Sequence, residues 1–228
     1  MTYLFRRFAF LALAATLALP LAACNSGTQA ERPPLEGAAV GGPFTLVDKD
    51  GKTVTWASFK GKWRIVYFGY TFCPDACPLD VQALMRGFAQ FEKAHPAEAA
   101  RVQPIFITID PARDTPEIVG QWTAAFSPRL LGLTGTPAQV DQAAKAFAAY
   151  YKKGDTTPDG GYLMDHTRVA YLMDPDGKPI AMLPIDKASE AAAPKVAENG
   201  GKPIEKAPDT TAGTAPDAVA AELAKWVK

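Results

Sequence analysis

The chain is expected to fold as an α/β sandwich: a central mixed sheet with helices on both faces and an added N-terminal hairpin. Three observations lead there. Strand-like apolar runs alternate with helical stripes between Trp63 and Tyr151. One of those runs, Trp63 to Tyr70 (WRIVYFGY), is apolar and aromatic nearly throughout, as in a strand buried on both faces. Two Asp-Gly turns, at Asp50-Gly51 and Asp176-Gly177, flank the alternation, each between β-type segments.

The elements follow in order. Phe44 to Val47 and Thr53 to Thr55 form a hairpin around the first Asp-Gly turn. After the strand Trp63–Tyr70, Leu79 to Phe91 places Val81, Leu84, Phe88 and Phe91 at spacings of three and four, one face of a helix. Val102 to Ile109 reads as the next strand and Thr115 to Phe126 as the next helix. Leu130 to Leu133 is a short strand, and Pro137 to Tyr151 an Ala-rich helix. Val169 to Met173 and Ile180 to Ile185 make a second hairpin around the other Asp-Gly turn, and Pro216 to Val227 closes the domain as a helix. This order fits a thioredoxin-like sandwich over residues 43–228, with one interruption. Residues 188–215 hold no aromatic and only Val196 and Ile204 as large aliphatics, among eight Ala, three Pro and three Gly. Such a segment buries too little apolar area to offset its ordering entropy and reads as a disordered insertion.

Upstream of the domain the chain reads as an address. Arg6 and Arg7 precede an apolar run from Phe8 to Leu19. Twelve helical residues span about 18 Å, short of a hydrocarbon core of about 30 Å, so residues 1–23 read as a secretory signal. The segment ends in Leu21-Ala22-Ala23-Cys24, which resembles a bacterial lipobox and implies lipidation of Cys24. Residues 24–42, rich in small residues, Gly and Pro, read as a flexible tether. The expected location is the bacterial cell envelope, lipid-anchored to a membrane and facing the periplasm.

The charges exclude a nucleic-acid binder. Lys plus Arg and Asp plus Glu both number 24, so there is no basic excess to neutralise phosphates. Of the three cysteines, lipidation uses Cys24 and leaves Cys73 and Cys77. These two, in Cys73-Pro-Asp-Ala-Cys77-Pro78, follow directly on the buried strand. Pro78 suits a first helical position and places Cys77 at the helix N-cap, so both thiols sit where the helix dipole favours thiolate. Two thiolates suit soft Cu(I), and an added imidazole lets one site hold Cu(II) as well; the same Cys₂His set can take Zn(II), but an open Zn site calls for a hydrolytic pocket and no general base is evident nearby. The Asp-rich turns are not EF-hands. Twelve-residue loops from Asp48 and Asp174 would end at Phe59 and Ile185, where a bidentate Glu is required.

The strings FGYTFCPDACP (68–78), TIDPARDTP (108–116) and MDHTRVAYLMDPDG (164–177) together resemble the Sco/SenC family, membrane-tethered thioredoxin-like copper proteins of cytochrome c oxidase assembly. The resemblance runs from about Phe44 to Ile185. It implies that Cys73, Cys77 and His166 are copper ligands, with Asp75 an auxiliary influence, and that one copper, Cu(I) or Cu(II), binds per chain. It implies delivery of copper to, or reduction of, the binuclear copper site of the oxidase. Its partners would be subunit II, another periplasmic copper chaperone and a thioredoxin-like reductant. The lipobox in place of a transmembrane anchor and the 188–215 insertion depart from the family pattern. His95 lacks any such context and is expected to be exposed. Two other readings stand beside the metallochaperone, which is not an enzyme. A thiol–disulfide oxidoreductase would act through Cys73 and Cys77 as a redox disulfide without a metal. A peroxiredoxin-like peroxidase is prompted by Thr71-Phe72-Cys73 with Arg113 and Arg129.

Overall fold

The computed structural model describes residues 31–156, 160–185 and 214–228. The segment read as a signal, Cys24 and most of the stretch 188–215 read as an insertion therefore lie outside the described residues. From Arg32 onward the described residues form one unit. Its elements are β1 (Thr45–Val47), β2 (Thr53–Thr55), a 3₁₀ turn (Trp56–Phe59), β3 (Trp63–Gly69), α1 (Ala76–Ala94), α2 (Pro96–Ala99), β4 (Val102–Thr108), α3 (Pro116–Ala124), β5 (Leu131–Leu133), α4 (Pro137–Ala146), β6 (Tyr151–Thr156), β7 (Tyr162–His166), β8 (Ala170–Met173), β9 (Pro179–Leu183) and α5 (Ala215–Trp226). Among the described residues no helix is long and apolar enough to cross a membrane.

The central sheet has the order β5-β4-β3-β8-β9. β3 pairs in parallel with β4, and β4 with β5, while β8 runs antiparallel to β3 and β9 to β8. All seven residues of β3 are buried, which is why its sequence lacks polar alternation. Its side chains part by the two-residue period of a strand. Trp63, Ile65 and Tyr67 join a core with Leu84, Phe88 and Phe91 of α1 and Val219 and Leu223 of α5. Val66 and Phe68 join a second core with Val140 and Phe147 from the α4 segment and Leu46 and Val54 of the hairpin. The one charge in β3, Arg64, reaches out at the strand's start, where its guanidinium donates to the carbonyls of Asp174 (2.7 Å) and Phe59 (2.6 Å).

Three boundaries differ from the sequence reading. Residues 33–42, read as tether, are held to the domain: Leu35 N–H donates to the Ile180 carbonyl at 3.0 Å and Gly41 N–H to that of Ala146 at 2.8 Å. The insertion ends earlier than 215, because Ala215 is buried at the start of α5 and Thr214 is its N-cap residue. The Ala-rich helix stops at Ala146 rather than running to Tyr151. Phe147 is drawn into the second core, and Ala148, at φ 50°, turns the chain. Tertiary burial of one aromatic ring thus overrides a run of good helix formers. Tyr151 instead opens β6, which pairs with β7 in a two-stranded sheet outside the central one.

Candidate metal centre

β3 delivers the chain to the site at the C-terminal edge of the sheet. Gly69 ends the strand, and a Cβ there would stand 3.3 Å from Cys77 Sγ and 2.9 Å from the Tyr67 ring, so the small residue makes room for the sulfur. Cys73 then loops back, its N–H donating to the Tyr70 carbonyl at 3.3 Å. Asp114 holds this loop. Fully buried, it accepts from Thr71 N–H (3.0 Å), Thr71 Oγ1 (2.6 Å) and Thr108 Oγ1 (2.5 Å), tying the loop to β4. Burial pushes the Asp114 carboxyl up, against the pull of those hydroxyls.

The helix begins two residues before the expected position, at Ala76 rather than Pro78. Asp75, exposed, is the N-cap of α1, and it makes no side-chain cap bond. Cys77 sits in the first turn rather than at the cap. Pro78 follows within the same turn, where its missing N–H has no intrahelical acceptor to satisfy. A sulfur performs the capping: Cys77 N–H donates to Cys73 Sγ at 3.3 Å. The Cys73 thiol is consequently drawn down to about 5 by a hydrogen bond from Cys77, aided by the backbone N–H groups of Cys77 and Asp75 and opposed by burial. Asp75 thus reaches the site through its amide. The thiol of Cys77 moves up, because Cys73 takes its proton's hydrogen bond and the residue is buried.

His166 arrives on a different element. It is the last residue of β7, and its Nε2 lies 3.3 Å from Cys77 Sγ. Its Nδ1 is 3.1 Å from the Thr167 carbonyl, which can only accept, so Nδ1 carries the proton and the Nε2 lone pair faces the sulfur. Burial pushes the imidazole pKa down, keeping the ring neutral near pH 7. The rings of Tyr67 and Tyr70 meet it edge-on at 6.4 and 6.0 Å. Among the described residues no three His, Cys, Asp or Glu side chains already stand close enough together to hold an ion. Cys73 Sγ is engaged by the helix amide, while Cys77 and His166 face each other.

Several residues that frame the site were absent from the sequence reading. Asp80, one turn along α1 from Cys77 and 1% exposed, accepts from Tyr67 Oη (2.9 Å) and from both ends of the Arg168 guanidinium, Nε at 2.8 Å and Nη2 at 2.5 Å. This fork ties the helix that carries Cys77 to the segment just after His166. The spacing Cys77-x-x-Asp80 and the pair His166-x-Arg168 were visible signals, but nothing in the string joins two positions 88 residues apart. Of the two arginines behind the peroxidase reading, Arg113 lies beside the cysteine loop. Arg129 donates to the carbonyls of Ala99 and Val102 at the far end of β4, so it takes no part in the site. His95 is half-buried, not exposed: it caps α1 and stacks on Phe91 at 5.2 Å.

The geometry has parallels. The family model described as SCO1/SenC matches residues 32–199. The chain is 42% identical over 152 residues to the Arabidopsis thaliana protein named SCO1 homolog 1, mitochondrial, covering 67% of this chain and 44% of that one. It spans about half the length of the curated relatives it matches first. The structure of Bradyrhizobium japonicum ScoI with copper bound superposes with a TM-score of 0.61 at 34% identity, covering 82% of this chain and 99% of that one. BsSco, described with a disulfide switch and as a member of the Sco family of cytochrome c oxidase assembly proteins, gives 0.52 at 27% identity over 68% of this chain and 87% of its own. A match that covers most of the chain and includes every residue of the site just described places this protein in the SCO1/SenC family.

Proposed function

We propose that this chain is a copper-binding assembly protein that takes one copper at Cys73, Cys77 and His166. It delivers that copper to the binuclear copper site of cytochrome c oxidase, or keeps the site's thiols reduced. The observation that carries the reading is the bare Nε2 of His166 set 3.3 Å from Cys77 Sγ, with Cys73 held as the more acidic thiol beside them. Two thiolates and a neutral imidazole suit both copper oxidation states, and three protein ligands leave a position open for handing the ion on. The copper in the Bradyrhizobium ScoI structure and the oxidase-assembly family of BsSco support the same reading. Its partners are the copper-site subunit of the oxidase, subunit II, and the proteins that supply copper or reductant. The chain is proposed to sit in the bacterial envelope on a lipid at Cys24, facing the periplasm; the intact mass of the mature N-terminus checks this.

The test is anaerobic titration of reduced soluble protein (residues 25–228) with Cu(I) and with Cu(II), followed by absorption spectroscopy. Wild type is expected to take one copper per chain, with thiolate-to-Cu(II) charge transfer in the visible. His166→Ala should lose Cu(II) by at least about tenfold and keep much of its Cu(I), because two thiolates satisfy the monovalent ion. Cys73→Ser or Cys77→Ser should impair both states. No copper uptake by the wild type would overturn the proposal.

The unequal thiols favour a second reading. A half-buried, acidic Cys73 beside a buried, reluctant Cys77 is the arrangement of an attacking and a resolving thiol in disulfide exchange. In that case His166→Ala changes no copper property, and the cysteine variants lose exchange instead.

A further inference from the structure

We propose that Arg113 is the latch that holds the His166-bearing hairpin against the cysteine loop, and that it thereby sets how firmly the protein keeps Cu(II) relative to Cu(I). The inference rests on the copper reading for its consequence, but its structural half stands on contacts alone. The β6–β7 hairpin belongs to its own two-stranded sheet and shares no ladder with the central one. Tertiary contacts must therefore hold it in place. At its base Tyr150 and Thr167 exchange bonds across the hairpin's entry. Toward the tip, Met164 N–H donates to Tyr70 Oη at 3.2 Å and Tyr162 Oη to Asp110 Oδ1 at 2.8 Å.

Arg113 gathers these ties into one cluster. Its Nε donates to the other oxygen of Asp110, Oδ2, at 2.5 Å. Its guanidinium lies over the Tyr162 ring at 3.6 Å, over the Phe72 ring at 4.7 Å and over the Tyr70 ring at 5.8 Å. Phe72 immediately precedes Cys73, Tyr162 lies on the strand that ends at His166, and Tyr70 meets the His166 ring edge-on. A single cation therefore touches the cysteine loop, the hairpin and the ring against which the imidazole rests. Nη2 of Arg113 is buried and has no hydrogen-bond partner among the described residues, so aromatic faces surround the guanidinium where acceptors would otherwise be expected. The latch also accounts for Phe72, which leaves 49% of its surface in solvent although a polar residue would be soluble there.

The consequence follows from the ligands. Cu(I) is satisfied by two thiolates on one loop and helix, whereas Cu(II) needs the imidazole, which the hairpin alone supplies. Loosening the hairpin should weaken the second ion and largely spare the first. Arg113 is a positioning residue here, since it acts through the rings and not on the metal.

The experiment compares wild type with Arg113→Gln and with Phe72→Ala. The second variant removes an exposed ring and is safe for folding should loss of Arg113 beside buried Asp110 prove too costly. In metal-free reduced protein, amide hydrogen exchange over 162–166 should quicken about tenfold in Arg113→Gln, the size of a lost cation–π and ion-pair contact. It should move the same way, by less, in Phe72→Ala, with β3 and β4 unchanged. Cu(II) should dissociate about tenfold more readily from Arg113→Gln and Cu(I) about as before, with Arg113→Lys recovering part of the difference. Hairpin exchange unmoved by both substitutions overturns the latch, as does an equal loss of Cu(I) and Cu(II). Wild type that takes up neither ion overturns the copper reading instead, and the exchange data then still decide whether Arg113 holds the hairpin.

Discussion

Two cysteines four positions apart in sequence have opposite chemistry here because of what each sulfur touches. Cys73 accepts the Cys77 amide at a helix start and is stabilised as thiolate, while Cys77 is buried beneath it with its proton engaged. In reduced, metal-free protein, alkylation by iodoacetamide should therefore fall on Cys73. Its rate should hold from neutral pH down to about 5 and decline below, with Cys77 nearly inert; equal labelling, or a midpoint in the ordinary thiol range, would contradict this. The folded-state pKa lies below that of a free thiol, so the unfolded chain binds a proton that the folded chain has released. The stabilisation due to Cys73 is full above the unfolded thiol's pKa and is lost as pH falls through about 5. The chain showed that Cys73, Cys77 and His166 could be donors. Which thiol is acidic depends on Cys73 accepting hydrogen bonds from the Cys77 thiol and N–H four positions along the chain, and no spacing rule specifies that.

At the scale of elements, the helices were legible and the strand pair that carries His166 was not. α1 and α3 have clear apolar stripes, and α3 and α4 start at Thr115 and Thr136, whose hydroxyls accept from Ile118 and Gln139 N–H. β6 and β7 read YKKGDT and YLMDH, with charges on both; β6 leaves four of its six residues in solvent without alternation, and β7 leaves alternate residues there. A hairpin on the molecular surface needs no apolar face, so it leaves little periodic signal. The α1–α5 contact has the converse property: one residue type controls it. A Cβ on Gly87 would lie 2.6 Å from the Pro216 carbonyl oxygen and 2.6 Å from Val219 Cβ, and backbone cannot give way there. Gly87→Ala should destabilise by about 1–2 kcal/mol, overpacking outweighing the gain in helix propensity. A melting temperature unchanged or raised would mean that α5 shifts without cost.

For the whole molecule, the sheet separates two cores, and α5 closes one of them after the chain passes through the 188–215 region. Replacing residues 188–213 with a short Gly-Ser linker should move the melting temperature by only a few degrees, because closure entropy changes by about 0.6 kcal/mol per doubling of loop length. Extending the deletion through Ala215 should cost more. It removes a buried residue and the Thr214 hydroxyl, which donates to Asp217 at 2.7 Å in the first turn of α5. Equal losses from both deletions would show that the segment itself carries packing.

Local sequence was enough for the sheet class and the order of the main strands and helices, and it named Cys73, Cys77 and His166 as candidate ligands. Burial on both faces of β3, apolar stripes and residue chemistry are all written locally. How Cys73 and His166 come to lie against Cys77 depends on contacts that no local pattern carries. The end of the Ala-rich helix depends on where Phe147 is buried, and the hairpin beyond it on Tyr162 finding Asp110. The tie between Asp80 and Arg168 joins residues far apart in the chain. Each is a contact of long sequence separation, whose energy appears only after the chain has closed the loop that brings its partners together.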